Sequence, residues 1–340
     1  MSLQEGLVSV IMSNYNTQEE YLRLAIESVL NQTYKNFEFI IVDDCSEKKS
    51  LEIIKSYNDP RIILMKNNQN MGITKSLNKA LKRAKGEFVA RMDADDFCMK
   101  TRLEKQVDFL TVNKEIIVCG TWVELFGEGA VKFNDKYSCK TIPDREQFQI
   151  QLLFGNHTNI IHPTAMFRHE TLLKHDITYN ENYIYAQDYR MWIECSKYGE
   201  CSNVPEILLK YRIHNDAVSS SKNNIQKLCT ENIIKEQLSW LHLKLPENWE
   251  KIHFAYLTGR KEYDLCQKKW IMQLIENNKK YHVFNQKKLE DTLWRKWAET
   301  SYFVIAKERD FLKIIEVFKN IPFKYWIVLF VLKKERIKSD

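Results

Sequence analysis

The chain holds no run of 18 or more apolar residues, so no segment is long enough to cross a hydrocarbon core of ~30 Å as a helix. Met1–Gly6 shows no basic stretch leading into an apolar run, which predicts no secretory leader. None of the eight cysteines stands in a CxxC pair, which removes the common zinc and dithiol motifs. Thiols scattered in this way suit a reducing cytoplasm. Neither GxGxxG nor GxxxxGK[ST] occurs. A nucleotide phosphate bound here must therefore be held by a metal and side chains, not by a glycine-rich cradle. Low-complexity tracts and internal repeats are also missing, which excludes a solenoid.

What is present is a chain of 340 residues, enough for a large core and for two domains. Aromatics are plentiful, with 8 Trp, 16 Tyr and 17 Phe. Charge is uneven: 24 Lys and Arg stand against 15 Asp and Glu from Ser221 onward, and 27 against 30 before it. A basic region of that kind suits anionic lipid or nucleic acid.

The first hundred residues alternate between two patterns. Leu7–Met12 is a β-rich apolar run ending in Ser13-Asn14-Tyr15-Asn16. Thr17 is placed to cap a helix from about Gln18 to Asn31, with Leu22, Ala25, Ile26, Val29 and Leu30 at helical spacing. Strands follow at Phe37–Val42 and Arg61–Lys66, with a short helix between them near Leu51–Tyr57. Asn70-Met71-Gly72 opens a helix to about Lys85, and Glu87–Ala90 reads as a buried strand. Such alternation predicts a parallel sheet covered by helices, whose ligands bind beyond the carboxyl ends of the strands. Ser13 and Tyr15, Asp43 and Asp44, and Arg91-Met92-Asp93-Ala94-Asp95-Asp96 all fall at those ends. Three carboxylates within four residues repel one another unless a cation neutralises them. A thiol-free oxygen set suits a hard divalent cation such as Mg²⁺ or Mn²⁺. The alternative is a solvated acidic turn. Lys75, one turn into its helix, is either a further cation for the site or a solvated helix lysine.

The blocks Val8–Asn16, Ser28–Thr33, Ile41–Ser46, Asn70–Gly72 and Asp93–Asp96, in that order and spacing, resemble family 2 glycosyltransferases of the GT-A fold. The resemblance covers residues 7–110. It implies a nucleotide-sugar donor, a divalent cation and inversion at the anomeric carbon. By that resemblance Asp44 would accept from the uracil N–H, with Tyr15 near the base and Ser13 beside the nucleotide. Asp93 would lie near the ribose and diphosphate, Asp95 would bind the metal, and Asp96 would sit close to metal or sugar. Arg91 and Lys75 would balance diphosphate charge. Cys45 departs from the pattern, which usually has glycine after the paired aspartates.

Further on, helices are expected at Met99–Asn113 and Asp144–Phe154, strands at Ile116–Phe126, up to Phe167 and at Ile207–Ile213, and a loop or hairpin at Gly127–Pro143. His162 before Pro163 is held extended, facing either a turn or the site. Asp188 opens a helix through Tyr198. It is either a carboxylate placed for the helix dipole or the general base that takes the acceptor's proton. The family carries an acidic pair here, and Gln187 replaces its first member. By the same resemblance His214, after Tyr211-Arg212-Ile213, would complete the metal shell or contact the diphosphate, with Arg212 the alternative phosphate contact; the other reading of His214 is a structural histidine. Gly155-Asn156, the Asp188 block, Tyr198-Gly199 and Tyr211–His214 with Val218-Ser219-Ser220 resemble lipooligosaccharide β-1,3-N-acetylglucosaminyltransferases. That group implies GlcNAc passed from UDP-GlcNAc to a terminal galactose, and related enzymes use galactose or glucose donors.

From about Ile225 the pattern is helical. Near the end, Ile321–Leu332 followed by Lys333-Lys334-Glu335-Arg336 is too short to span a bilayer. It suits the membrane interface, with Tyr325 and Trp326 at headgroup depth, or a packed helix. The expected organisation is a GT-A catalytic domain over 1–221, with a nucleotide half at 1–113 and an acceptor half at 114–221, then a helical basic-aromatic region at 222–340. The expected activity is a metal-dependent, inverting transfer from a UDP-sugar to a cell-surface glycan or glycolipid. It would take place in the cytoplasm, peripheral on the inner membrane face, without nucleic acid as a partner. A nucleotidyltransferase is the first rival, but Ser13-Asn14-Tyr15-Asn16 lacks the glycine-rich basic loop it needs. A non-catalytic binding module docking through the basic tail is the second, and no nucleic-acid motif supports it.

Overall fold

The structure, a computed structural model, describes residues 3–132, 136–156, 159–214, 220–258, 265–308 and 322–325. The expected alternation is present: β1 (Gln4–Asn14), α1 (Glu19–Leu30), β2 (Phe37–Asp43), α2 (Lys48–Lys55), β3 (Ile62–Lys66), α3 (Ile73–Arg83) and β4 (Gly86–Asp93). The four strands lie in the order β3-β2-β1-β4, all parallel. Every residue of β2 is buried, as a parallel strand covered on both faces requires. Glu38 is tolerated there because Ser9 Oγ donates to it at 2.6 Å and the Lys85 amide at 2.8 Å. Val8, Val10 and Met12 share one core with Leu22, Ile26 and Val29 of α1 and Phe39 and Ile41 of β2. Each such side chain contributes about 1.5–3 kcal/mol by leaving water. The α3 helix packs on β1 and β2 and buries Leu77, Ala80 and Leu81. Thr17 does not cap α1: the boundary residue is Gln18, with no side-chain cap, and Glu19 and Glu20 put their carboxylates in the first turn instead.

The chain continues through β5 (Phe97–Cys98), α4 (Arg102–Val112), β6 (Ile116–Phe126), β7 (Tyr137–Ser138), α5 (Arg145–Leu153), β8 (Met166–Arg168), α6 (His169–Lys174), α7 (Gln187–Ser196) and β9 (Glu200–Arg212). The sheet extends as β4-β8-β6-β9-β5, with β7 on β6. β8 is antiparallel to β4 and β6, β9 is parallel to β6, and β5 runs antiparallel to β9. The Gly127–Pro143 stretch returns to β6 as a hairpin through β7. Two differences from the sequence expectation stand out. β9 starts at Glu200, seven residues early, and β5 is too short for any hydrophobic period to reveal, whereas the strand expected up to Phe167 is present as β8.

The chain packs as two compact units, one of residues 1–145 and 157–229, the other of 146–156 and 230–340. The second contains most of α5, the end of α8 (Ser220–Trp240), α9 (Trp249–Thr258), α10 (Leu265–Tyr281) and α11 (Gln286–Glu308). Its core includes Phe148, Leu153, Trp270, Leu274, Leu293 and Trp297. His253 lies inside it, stacked on Phe154 at 4.9 Å. Tyr325, expected at headgroup depth, is buried against α11, where its hydroxyl donates to Asp291. Ile321 and Trp326–Leu332 of the apolar run fall outside the described residues, as do His157 and Ser219. Among the described residues no helix is long and apolar enough to cross a membrane.

Candidate active site

Strand order creates the crevice. From β1 the chain goes to β2 and β3 on one side, then returns to place β4 on the other. Such a reversal opens a cleft at the carboxyl ends of the two central strands. In the ladder Ser13 pairs with Asp93, so the end of β1 faces the start of the acidic turn. Asn14 is fixed beside it: its amide donates to Asp43 at 3.1 Å and to Ser50 at 3.0 Å. Tyr15, the next residue, is 52% exposed.

Asp44 sits at the end of β2, buried. Its Oδ1 accepts from Asn67 Nδ2 at 2.7 Å and from the Met71 amide at 2.8 Å, and its Oδ2 accepts from the Gly72 amide at 2.8 Å. The carboxylate thus caps the N-terminus of α3, which has no capping side chain of its own. Oδ2 retains one acceptor position. Lys75 is turned to Glu181, at 3.9 Å, in a half-exposed pair that is worth little.

Carboxylate oxygens of Asp93, Asp95 and Asp96 all lie within 4.8 Å of one another. At that spacing each pair of charges repels by about 3–4 kcal/mol for an effective dielectric of about 20. Arg91 forms an ion pair with Asp93. The guanidinium is only 3% exposed, so it lies beneath the carboxylate and is committed to it. One buried cation does not neutralise the cluster. Burial, with Asp95 and Asp188 adding to it, raises Asp93 above the ordinary carboxylate range despite Arg91. Burial and the charges of Asp93 and Asp95 hold Asp96 well above that range. Asp96 Oδ2 is buried without a hydrogen-bond partner. This set fits a divalent cation: the donors are hard oxygens, the negative charge is in excess, and a buried carboxylate oxygen is left open.

The other wall comes from β9. Its pairing with β5 carries Arg212 and His214 to the acidic turn. The Arg212 amide donates to Asp96 Oδ1 at 2.8 Å and its Nε to the Asp95 carbonyl at 2.7 Å. His214 Nε2 meets Asp95 Oδ2 at 2.7 Å. The turn Glu128–Lys132 closes on this segment, with the Gly129 amide donating to the Ile213 carbonyl at 2.9 Å.

Asp188 lies in the first turn of α7, half-buried, with Oδ1 accepting from the Tyr189 amide at 2.8 Å. Its charge acts on both Asp93 and Tyr179, which ties this helix start to the cluster electrostatically. His162 turns inward. Its Nε2 is 3.0 Å from the Tyr179 hydroxyl, and burial, with the Arg91 charge, lowers its pKa well below the usual value.

Three groups here were missed by sequence reasoning. Tyr211 is pushed up by burial and by Asp93 and Asp96. Tyr179 comes from a loop with no motif. Arg102 is buried, and its Nη2 donates to the Arg91 carbonyl at 2.8 Å. Arg102 carried a signal, an arginine next to the apolar face of α4, and Tyr211 stood in the block Tyr211–His214 without a role assigned to it.

The description Glycosyl transferase family 2 matches residues 9–175. An uncharacterised glycosyltransferase of Methanocaldococcus jannaschii is 38% identical over 238 residues, which cover 68% of this chain and 80% of that relative. The chain belongs to glycosyltransferase family 2. Another relative of this glycosyltransferase is WfaP of Escherichia coli, 31% identical over 64% of this chain and 81% of WfaP. WfaP is named as a UDP-Glc:alpha-D-GlcNAc-diphosphoundecaprenol beta-1,3-glucosyltransferase. Among solved structures, residues 1–349 of TarS from Staphylococcus aureus, crystallised with UDP-GlcNAc, match with a TM-score of 0.57 at 19% identity. That match covers 96% of this chain and 92% of the TarS chain and carries the fold alone. The glycosyltransferase thus has the GT-A fold with a helical C-terminal region.

Proposed function

We propose that the enzyme transfers a hexose from a UDP-sugar, with inversion, to a hydroxyl of a cell-surface glycan or its lipid-linked precursor. The observation that carries this is the cluster Asp93, Asp95 and Asp96 at the β1/β4 crevice, with Asp188 acting on it from a separate helix. One region holds a leaving diphosphate and the other faces the incoming acceptor. Asp95 and His214 hold the cation. A bound Mg²⁺ or Mn²⁺ supplies Lewis-acid stabilisation of the departing diphosphate. Asp44 accepts the uracil N–H through Oδ2, Tyr15 packs on the base, and Ser13 and Asp93 reach the ribose. Arg91 acts by holding Asp93. Asp188 takes the acceptor's proton through its free oxygen as the anomeric carbon passes through an oxocarbenium-like state.

UDP-GlcNAc with β-1,3 transfer to a terminal galactose is the donor and linkage we favour, from the resemblance of residues 155–220. A UDP-glucose donor is the second reading, and the name of WfaP supports it. The domain assignment goes with this reading: residues 1–221 carry catalysis and 222–340 form the basic helical region. The cationic end, including Lys333, Lys334 and Arg336, serves a peripheral contact with anionic lipid on the cytoplasmic face. Liposome flotation with and without residues 326–340 tests that contact, and equal binding by both chains removes it.

The catalytic test is a screen of UDP-sugars against terminal-galactose and diphosphoprenyl-linked acceptors with Mn²⁺ present. Asp95→Ala and Asp188→Asn are each expected to abolish transfer, with Asp188→Asn keeping UDP affinity. Turnover of Asp188→Asn at the wild-type rate would remove the base from this position. Turnover of no UDP-sugar would remove the proposed function.

A further inference from the structure

Arg212 does more than approach the acidic turn. Its guanidinium carbon lies over two rings, 3.8 Å from the centroid of Tyr21 and 4.2 Å from that of Phe126. From that slot Nε reaches the Asp95 carbonyl at 2.7 Å, while the Arg212 amide holds Asp96 Oδ1 at 2.8 Å. The Tyr21 ring also packs against His214, centroid to centroid at 5.8 Å. His214 in turn meets the Asp95 carboxylate. With its carbon over both rings and Nε on a backbone carbonyl, the guanidinium is held in orientation. It acts on the backbone of the acidic turn.

We propose that Tyr21 is a positioning residue for the cation site. Its ring on α1 sets Arg212 and His214, and through them fixes both the backbone and the side chain of Asp95. This inference rests on the reading that Asp95 and His214 hold the cation. No motif pointed to Tyr21, because it lies in the first turn of a helix that reads as amphipathic, with Leu22, Ala25, Ile26 and Val29 in the core. A cation over an aromatic face is held by the ring's quadrupole, so the ring and not the hydroxyl carries the effect. The structure agrees, since no hydrogen bond is recorded for the Tyr21 hydroxyl among the described residues. Removal of the ring frees Arg212 on one side and lets His214 turn away from Asp95.

The experiment is a Mn²⁺ titration of the full chain with saturating UDP, followed by the electron paramagnetic resonance signal of free Mn²⁺. Tyr21→Ala is expected to raise the apparent dissociation constant about fivefold to tenfold. Tyr21→Phe is expected to match the wild type. Tyr21→Leu fills the volume without a π face and is expected to weaken binding as Ala does, which guards against loss of fold in the Ala variant. Wild-type affinity in Tyr21→Leu, or a Tyr21→Phe protein as weak as Tyr21→Ala, overturns the inference. A wild-type chain that binds no Mn²⁺ in the presence of UDP overturns the cation reading, and the inference falls with it.

Discussion

His253 makes the second unit sensitive to acid. The ring is buried, and its two nitrogens have fixed roles: Nε2 donates to the Leu153 carbonyl at 2.9 Å, and Nδ1 accepts from Trp270 Nε1 at 3.2 Å. A second proton would go on Nδ1 and point at the Trp270 N–H, donor against donor. Burial lowers the pKa from 6.5 to about 4, although the Leu153 carbonyl works against that. Between those values the unfolded chain binds a proton that the folded chain refuses. The contribution of His253 is therefore complete above pH 6.5 and is lost as pH falls from there through 4. At about 1.4 kcal/mol per pH unit the full loss is about 3 kcal/mol, and about 2 kcal/mol of it has gone by pH 5. Urea unfolding followed by tryptophan fluorescence reads mainly this unit, which carries six of the eight tryptophans, with Trp122 and Trp192 in the other. The wild type is compared with His253→Phe at pH 7.5 and pH 5. The variant is less stable at pH 7.5, because Leu153 and Trp270 lose partners at about 1–3 kcal/mol each. Its further loss on acidification is smaller than that of the wild type by about 2 kcal/mol. Equal losses in the two proteins would refute the buried neutral histidine as the cause.

Two other substitutions test the geometry of the first unit. Gly129→Ala places a Cβ 2.5 Å from the His214 carbonyl oxygen and 2.6 Å from Ile213 Cγ2. The strand end has to shift, which costs about 1–3 kcal/mol and draws His214 off Asp95. The expected result is a lower urea midpoint and transfer at least tenfold below wild type, and unchanged turnover would show that His214 is not needed where it stands. Cys45 has φ +63°, the left-handed region where an L-residue is strained by about 1–2 kcal/mol. Cys45→Gly relieves that strain at some cost in unfolded-chain entropy. A gain of up to about 1 kcal/mol in urea unfolding is expected, and a loss would show that chain entropy and the weak contact of its sulfur with the Asn68 carbonyl together outweigh the strain.

The same Cys45 shows how far the sequence could be read. The family pattern asks for glycine there, and the backbone does adopt the conformation glycine prefers, with a cysteine in its place. The carboxyl-end placement of Ser13, Asp44 and Asp93–Asp96 was legible because period-two and period-3.6 patterns fix where strands stop. Arg91 was legible as a cation of the site but not as one buried under Asp93, since charge in a sequence carries no depth. Tyr21 and Tyr179 were silent, because an aromatic on a helix or in a loop looks the same whether it packs on a site or on a core. Tyr325 shows the reverse, an aromatic in an apolar run that turned out to be buried against α11 and not facing lipid.

By itself the sequence determined the alternation of strand and helix, the acidic turn at the end of β4, and a helix opening at Asp188. Those features are local, set by side-chain periodicity and by a few turn residues. Tertiary structure alone decided that β9 brings Arg212 and His214 against Asp95 and Asp96, residues more than a hundred positions away. It also decided that Asp44 caps α3 and that burial leaves Asp96 reluctant to ionise. Each of these depends on strand order and on distance from water, and neither is written in the spacing of residues along a chain.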